Sequence, residues 1–72
     1  MPEEVLAEIV GNVTSVLVRR GEAVTPETDL VILESMKMEI PVRSERTGTL
    51  VDIVVKAGDL VQEGDVIALV EH

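Results

Sequence analysis

The chain contains no cysteine and no phenylalanine, tyrosine or tryptophan. The lack of cysteine excludes disulfides and thiolate metal sites. A single histidine, His72, excludes a metal site built from several histidines. Without aromatic rings, the core must be assembled from aliphatic groups: 14 Val, 7 Leu and 5 Ile, with smaller residues between them. At 72 residues the chain makes at most one domain, with a thin core held by packing alone. No apolar run approaches the ~20 residues of a bilayer-spanning helix. Met1-Pro2-Glu3-Glu4 has neither the basic region nor the long apolar stretch of a signal peptide. A cytoplasmic location is therefore expected. Positive charge is scarce too, with 6 Lys and Arg against 14 Asp and Glu and a net charge of −8. That balance repels nucleic acid and anionic membranes and favours partners with basic grooves. No glycine-rich phosphate loop is present, and no internal histidine or cysteine is available for catalysis. The many carboxylates read as a solvated surface, so no catalytic residue is expected.

What the chain has in abundance is branching at Cβ. Val, Ile and Thr make up 24 of its 72 residues, and these stiff side chains suit a pleated sheet. The sequence also matches itself at an offset of 37 residues. Residues 11–34 (GNVTSVLVRRGEAVTPETDLVILE) align without gaps to 48–71 (GTLVDIVVKAGDLVQEGDVIALVE). Gly11/Gly48, Val18/Val55, Gly21/Gly58, Val24/Val61 and Glu34/Glu71 are identical, and most other apolar positions are conservative pairs. Each copy predicts a strand (13–18 or 50–55), a turn at Gly21 or Gly58, a short strand at Val24 or Val61, and a second turn. A closing strand (30–34 or 66–70) ends it. No segment holds a helical period.

The expectation is an all-β domain over residues 1–72: two antiparallel sheets face to face, related by a pseudo-two-fold axis. The inward set is Val13, Val16, Val18, Val24, Leu30 and Ile32 with their partners Leu50, Ile53, Val55, Val61, Ile67 and Leu69. Leu6 and Ile9 should cover one edge. Glu27 stands where the second copy has Gly64, so the second turns should differ. The 35–47 connection and the chain ends should lie at opposite poles.

The 35–47 connection carries the most informative residue. The chain has two lysines. Lys56 aligns with Arg19, so only charge matters there and it reads as plain surface. Lys37 has no repeat partner. It stands in Glu34-Ser35-Met36-Lys37-Met38-Glu39-Ile40-Pro41, where the chain must reverse, yet Glu34–Ile40 contains no Gly, Asn or Pro. A type I turn tolerates such residues. One bland reading makes Lys37 a charge guarding an edge strand, with Met36 and Met38 packed on the sheet. The sharper reading makes it a reachable amine for attaching a prosthetic group. Arg43 and Arg46 follow and should balance nearby acids.

Glu34-Ser35-Met36-Lys37-Met38 resembles the attachment signature of biotinyl domains in the biotin/lipoyl-attachment superfamily. Gly21-Glu22-x-Val24, Gly48 and Gly58-Asp59-x-Val61-x-x-Gly64-Asp65 extend the resemblance over roughly Leu6 to Val70. Lipoyl domains typically carry Asp before the lysine and Ala or Val after it, where this chain has Met36 and Met38. The resemblance implies a flattened β-barrel or sandwich of two four-stranded antiparallel sheets, with Lys37 at an exposed hairpin tip. It implies a non-catalytic covalent biotin carrier, with biotin joined to Lys37 by a biotin protein ligase that reads Met36 and Met38. An ordinary lysine amine, with a reference pKa of ~10.4, is mostly protonated near pH 7, so the ligase would supply the base. It further implies a swinging arm that takes CO2 from a biotin carboxylase to a carboxyltransferase. Departures from the family pattern are the missing Ala/Pro-rich linker and protruding loop, which fit a free-standing carrier or one domain of a longer carboxylase. A lipoyl-type carrier and an unmodified interaction module of the same fold are the alternatives.

Overall fold

The computed structural model describes residues 2–72. Eight strands follow one another: β1 (Glu3–Leu6), β2 (Gly11–Val16), β3 (Ala23–Val24), β4 (Asp29–Ser35), β5 (Met38–Arg43), β6 (Gly48–Ile53), β7 (Leu60–Val61) and β8 (Val66–Glu71). They form two four-stranded antiparallel sheets, ordered β1-β8-β6-β3 and β5-β4-β2-β7. The body measures 32 × 18 × 18 Å. This is the expected two-sheet architecture, and no helix forms among the described residues.

Adding 37 to the residue numbers carries β2, β3 and β4 onto β6, β7 and β8. It also carries β1 onto β5, so the repeat includes a pair that sequence matching did not reveal. Val5 and Val42 are both buried, as are Ala7 and Ser44. The halves interlock because each lends its short strand to the other: β3 pairs with β6, and β7 with β2. The loops before these strands clasp the opposite half in the same way. Gly21 N–H donates to the Leu50 carbonyl at 2.7 Å, and Gly58 N–H donates to that of Val13 at 2.8 Å. Both glycines have positive φ, 87° and 99°, which an L side chain would resist. Neither half can complete its sheet alone.

The inward set is partly corrected. Val13, Val18, Val24, Leu30, Leu50, Val61 and Ile67 are buried as expected, and Val16, Ile53 and Val55 pack half-buried against them. Ile32 and Leu69 are not in the core; Val31, Leu33, Ala68 and Val70 are buried instead. Bulges cause the slip. Between β4 and β5 the pairing jumps from Asp29↔Arg43 to Val31↔Val42, leaving Leu30 as an extra residue. Between β8 and β1 it jumps from Val66↔Leu6 to Ala68↔Val5, leaving Ile67 extra. Each bulge turns two consecutive side chains inward and reverses the alternation beyond it. Thr14 and Val51 mark a second pair of irregularities, in β2 and β6, again 37 residues apart.

Leu6 is exposed and covers no edge; its neighbours Val5 and Ala7 face inward, and Ile9 packs half-buried on the core. The second turns do differ. Both keep an i+3 backbone bond, Thr28 N–H to Thr25 and Asp65 N–H to Gln62, each 3.0 Å. Gly64 adopts φ 91°, and Glu27 avoids the left-handed region. The chain ends meet where Glu3 pairs with Val70, the counterpart of the β4–β5 hairpin in the other sheet.

Candidate functional site

The β4–β5 hairpin closes in two residues. Ser35 pairs with Met38, then Glu34 with Glu39, Leu33 with Ile40 and Ile32 with Pro41. The loop is Met36-Lys37, and both residues lie in the left-handed region, with φ 53° and 65°. Positive φ at both central positions defines a type I′ turn, whose twist matches that of the strands it joins. The type I turn that such residues would tolerate is not the one formed; its mirror form is. A side chain in this conformation costs about 1–2 kcal/mol per residue, and I′ turns normally use Asn and Gly to avoid that cost. Here two long side chains occupy it, held there by the ladder beneath.

That ladder is anchored from below. Leu33 and Ser35 point inward and are buried. Gly11 lets β2 close against the base of the hairpin: a Cβ on Gly11 would stand 2.8 Å from the Glu34 carbonyl oxygen and 3.5 Å from Ser35 Cβ. Pro41 lies in an outer strand, where its missing N–H is tolerated. The base of the turn is thus fixed while its tip is bare. Met36 is 87% exposed and Met38 62%, and Lys37 is exposed between them. The methionines do not pack on the sheet, contrary to the edge-guard reading.

Neither of two surface clefts receives the lysine. A groove of about 570 Å³ runs along Glu3–Glu8 to Arg43 and Glu63, and a cleft of about 90 Å³ is walled by Leu6, Ile9, Leu33 and Ile40. Neither is lined by Met36, Lys37 or Met38. Among the described residues no group of three or more His, Cys, Asp or Glu could hold a metal ion. The hairpin therefore presents a primary amine to the outside.

The other cations have ordinary work. Arg43 Nε lies 2.6 Å from Asp29 Oδ1, directly across the β4–β5 ladder, and Arg20 Nε lies 3.4 Å from Asp52 Oδ1. The balancing role expected of Arg43 is found; Arg46 forms no ion pair among the described residues, and its backbone N–H and C=O are bound by the Ser44 hydroxyl. Lys56 is exposed, and its N–H donates to the Asp59 carboxylate at 3.0 Å. Arg19 makes the equivalent bond to Glu22, also at 3.0 Å, so the position needs only a backbone donor.

Sequence reasoning missed two features of the site. In the sequence Gly11 is a repeat identity, but its tight approach to Glu34 needs the register between β2 and β4. The direct opposition of Glu34 and Glu39 follows from the two-residue loop, which a sequence without turn-forming residues does not announce.

Two interlocked four-stranded sheets carrying a lysine on an exposed hairpin define the biotin/lipoyl carrier class of domain, a carrier and not an enzyme. The chain belongs to the family described as "Biotin-requiring enzyme", whose model matches residues 1–70. It is 46% identical over 70 residues to the "Biotinylated protein TB7.3 homolog" of Mycobacterium leprae (strain TN), covering 97% of this chain and 99% of that one. It is 42% identical over 60 residues to the "Biotin/lipoyl attachment protein" of Bacillus subtilis (strain 168), covering 83% and 82%. Among solved structures, the Kluyveromyces lactis urea carboxylase superposes with a TM-score of 0.92 at 28% identity, over 99% of this chain and 6% of that protein. No helix among the described residues is long and apolar enough to cross a membrane.

Proposed function

We propose that this domain is a biotin carrier and that biotin is joined to Lys37 as an amide on Nζ. In this reading a biotin protein ligase makes the attachment, with Met36 and Met38 as its flanking contacts. The tethered ring takes up CO2 at a biotin carboxylase and gives it to an acceptor at a carboxyltransferase, in the cytoplasm. The observation that carries the reading is the exposed amine at the tip of a left-handed two-residue turn on an anchored ladder. A flexible lysyl stem on a stiff body keeps the reactive group at high effective concentration near two active sites without tight binding at either. The relative named as a biotinylated protein and the likeness to a carboxylase support biotin as the cargo. Lys56 is the less suitable amine, because Arg19 fills the same place in the other half.

The test is intact-mass measurement after expression with a biotin protein ligase and, separately, with a lipoyl ligase. Biotin attachment predicts a gain of one biotin less one water with the first enzyme and no gain with the second. A gain only with the lipoyl ligase would make this a lipoyl carrier. No gain with either would leave an unmodified module.

A further inference from the structure

The internal repeat supplies a control for every residue near the lysine. Whatever the fold requires appears at both equivalent ends of the molecule, and whatever appears at one end only is free to serve another purpose. On the outer face of the β5-β4-β2-β7 sheet, one row lies directly below the hairpin. It runs Glu39, Glu34, Asn12, Leu60 across four strands. All four side chains are exposed, and buried Leu33, Val13 and Val61 alternate with them on the inner face.

Leu60 is the anomaly. It is 62% exposed on an outer strand. Its counterpart at the other end is Ala23, which pairs with Thr49 as Leu60 pairs with Asn12. The two positions share their scaffold: the loops before them make matching hydrogen bonds, Leu50 N–H to Glu22 and Val13 N–H to Asp59, at 2.9 and 2.8 Å. An alanine therefore satisfies the fold there, and the leucine adds only bulk in solvent. Among the described residues, the three most exposed large hydrophobic ones, Met36, Met38 and Leu60, all lie at this end. Between them stand Glu34 and Glu39, directly opposed like charges that destabilise the ladder. No ion pair among the described residues compensates either one.

We propose that Leu60 is a third anchor for the ligase that acylates Lys37, so that the ligase docks over the outer face of this sheet from the β7 side. This rests on Lys37 being the biotin acceptor. The ligase surface that fits has an apolar socket for Leu60 and basic groups over Glu34 and Glu39. With strands ~4.8 Å apart, Leu60 stands two strands, about 10 Å, from Glu34. A typical footprint of about 800 Å² per partner covers both and the hairpin tip.

The experiment compares initial rates of biotin attachment to the wild type, Leu60→Ala, Leu60→Lys and Leu17→Ala, with biotin protein ligase, ATP and biotin, read by intact mass. Leu17 is a control of the same type, 52% exposed, beyond the opposite end of β2. Leu60→Ala should lower kcat/KM about tenfold through KM, as loss of an interface anchor does. Leu60→Lys should lower it further, because it sets a cation against basic groups. Leu17→Ala should stay within about twofold, and all variants should melt with the wild type. Wild-type rates for both Leu60 variants would overturn the proposal, as would an equal loss in Leu17→Ala. A wild type that takes no biotin would remove the carrier reading and this inference together, and that failure shows in the wild type itself.

Discussion

The β4–β5 hairpin and the β8–β1 pair occupy equivalent places in the two halves, yet only one of them is closed by a turn. At the first, Met36-Lys37 joins the strands in a conformation unfavourable for both residues. At the second, the strands simply end. Below each, a glycine admits the neighbouring strand: Gly11 against Glu34, Gly48 against Glu71. Shared features such as these glycines, the bulges at Leu30 and Ile67, and the clasping loops belong to folding. Features present once, namely the turn, the exposed methionines, Glu39 and Leu60, are not demanded by the fold, and on the proposed reading they serve recognition.

The sharpest break between the two classes should come from the core. Leu30→Ala and Ile67→Ala each remove a fully buried side chain at a bulge. Each should cost about 2–5 kcal/mol, a large share of the stability of so small a domain. Chemical denaturation should find the two losses similar; a difference beyond about 2 kcal/mol would mean that the halves are not energetically equivalent.

The glycines divide the halves more finely. A Cβ on Gly48 would meet the Glu71 oxygen at 2.4 Å and Val70 Cγ1 at 2.9 Å, whereas on Gly11 the nearest atom is an oxygen at 2.8 Å. Both alanine variants should lose about 1–3 kcal/mol, Gly48→Ala the more. Thermal melting that ranks them the other way would show that the hairpin side yields less than the chain ends.

The smallest effect should have the opposite sign. Met36→Asn places a residue that tolerates the left-handed region in a turn that favours it. Stability should rise by about 0.5–1 kcal/mol while ligase turnover falls. If stability drops instead, Met36 contributes packing that its 87% exposure conceals.

Much of this was legible in the sequence because apolar spacing and repeated glycines report directly on strands and turns. The offset of 37 residues located the two-sheet body and left Lys37 as the residue without a counterpart. The core beyond Leu30 and Ile67 was misjudged because 30–33 and 66–70 are apolar on both faces, and only a bulge decides which side faces inward. β1 and β5 escaped the repeat because their likeness reduces to Val5/Val42 and two small buried residues, Ala7 and Ser44. The handedness of the lysine turn was hidden for a physical reason. Its residues are not those the geometry prefers, so the strand ladder, and not local propensity, imposes it. Leu60 is absent from the inward set because Val61 takes the inward place in its strand, but only the row across the sheet sets it beside the hairpin.

On the proposed reading the chain offers one amine for acylation, and the hairpin, not surface charge in general, selects it. Lys37→Arg and Lys56→Arg, each treated with biotin protein ligase, ATP and biotin and followed by intact mass, test it most directly. Lys37→Arg should melt with the wild type and gain no mass, since an exposed tip residue adds little to stability, and Lys56→Arg should label fully. Biotin retained by Lys37→Arg, or lost from Lys56→Arg, would contradict the account.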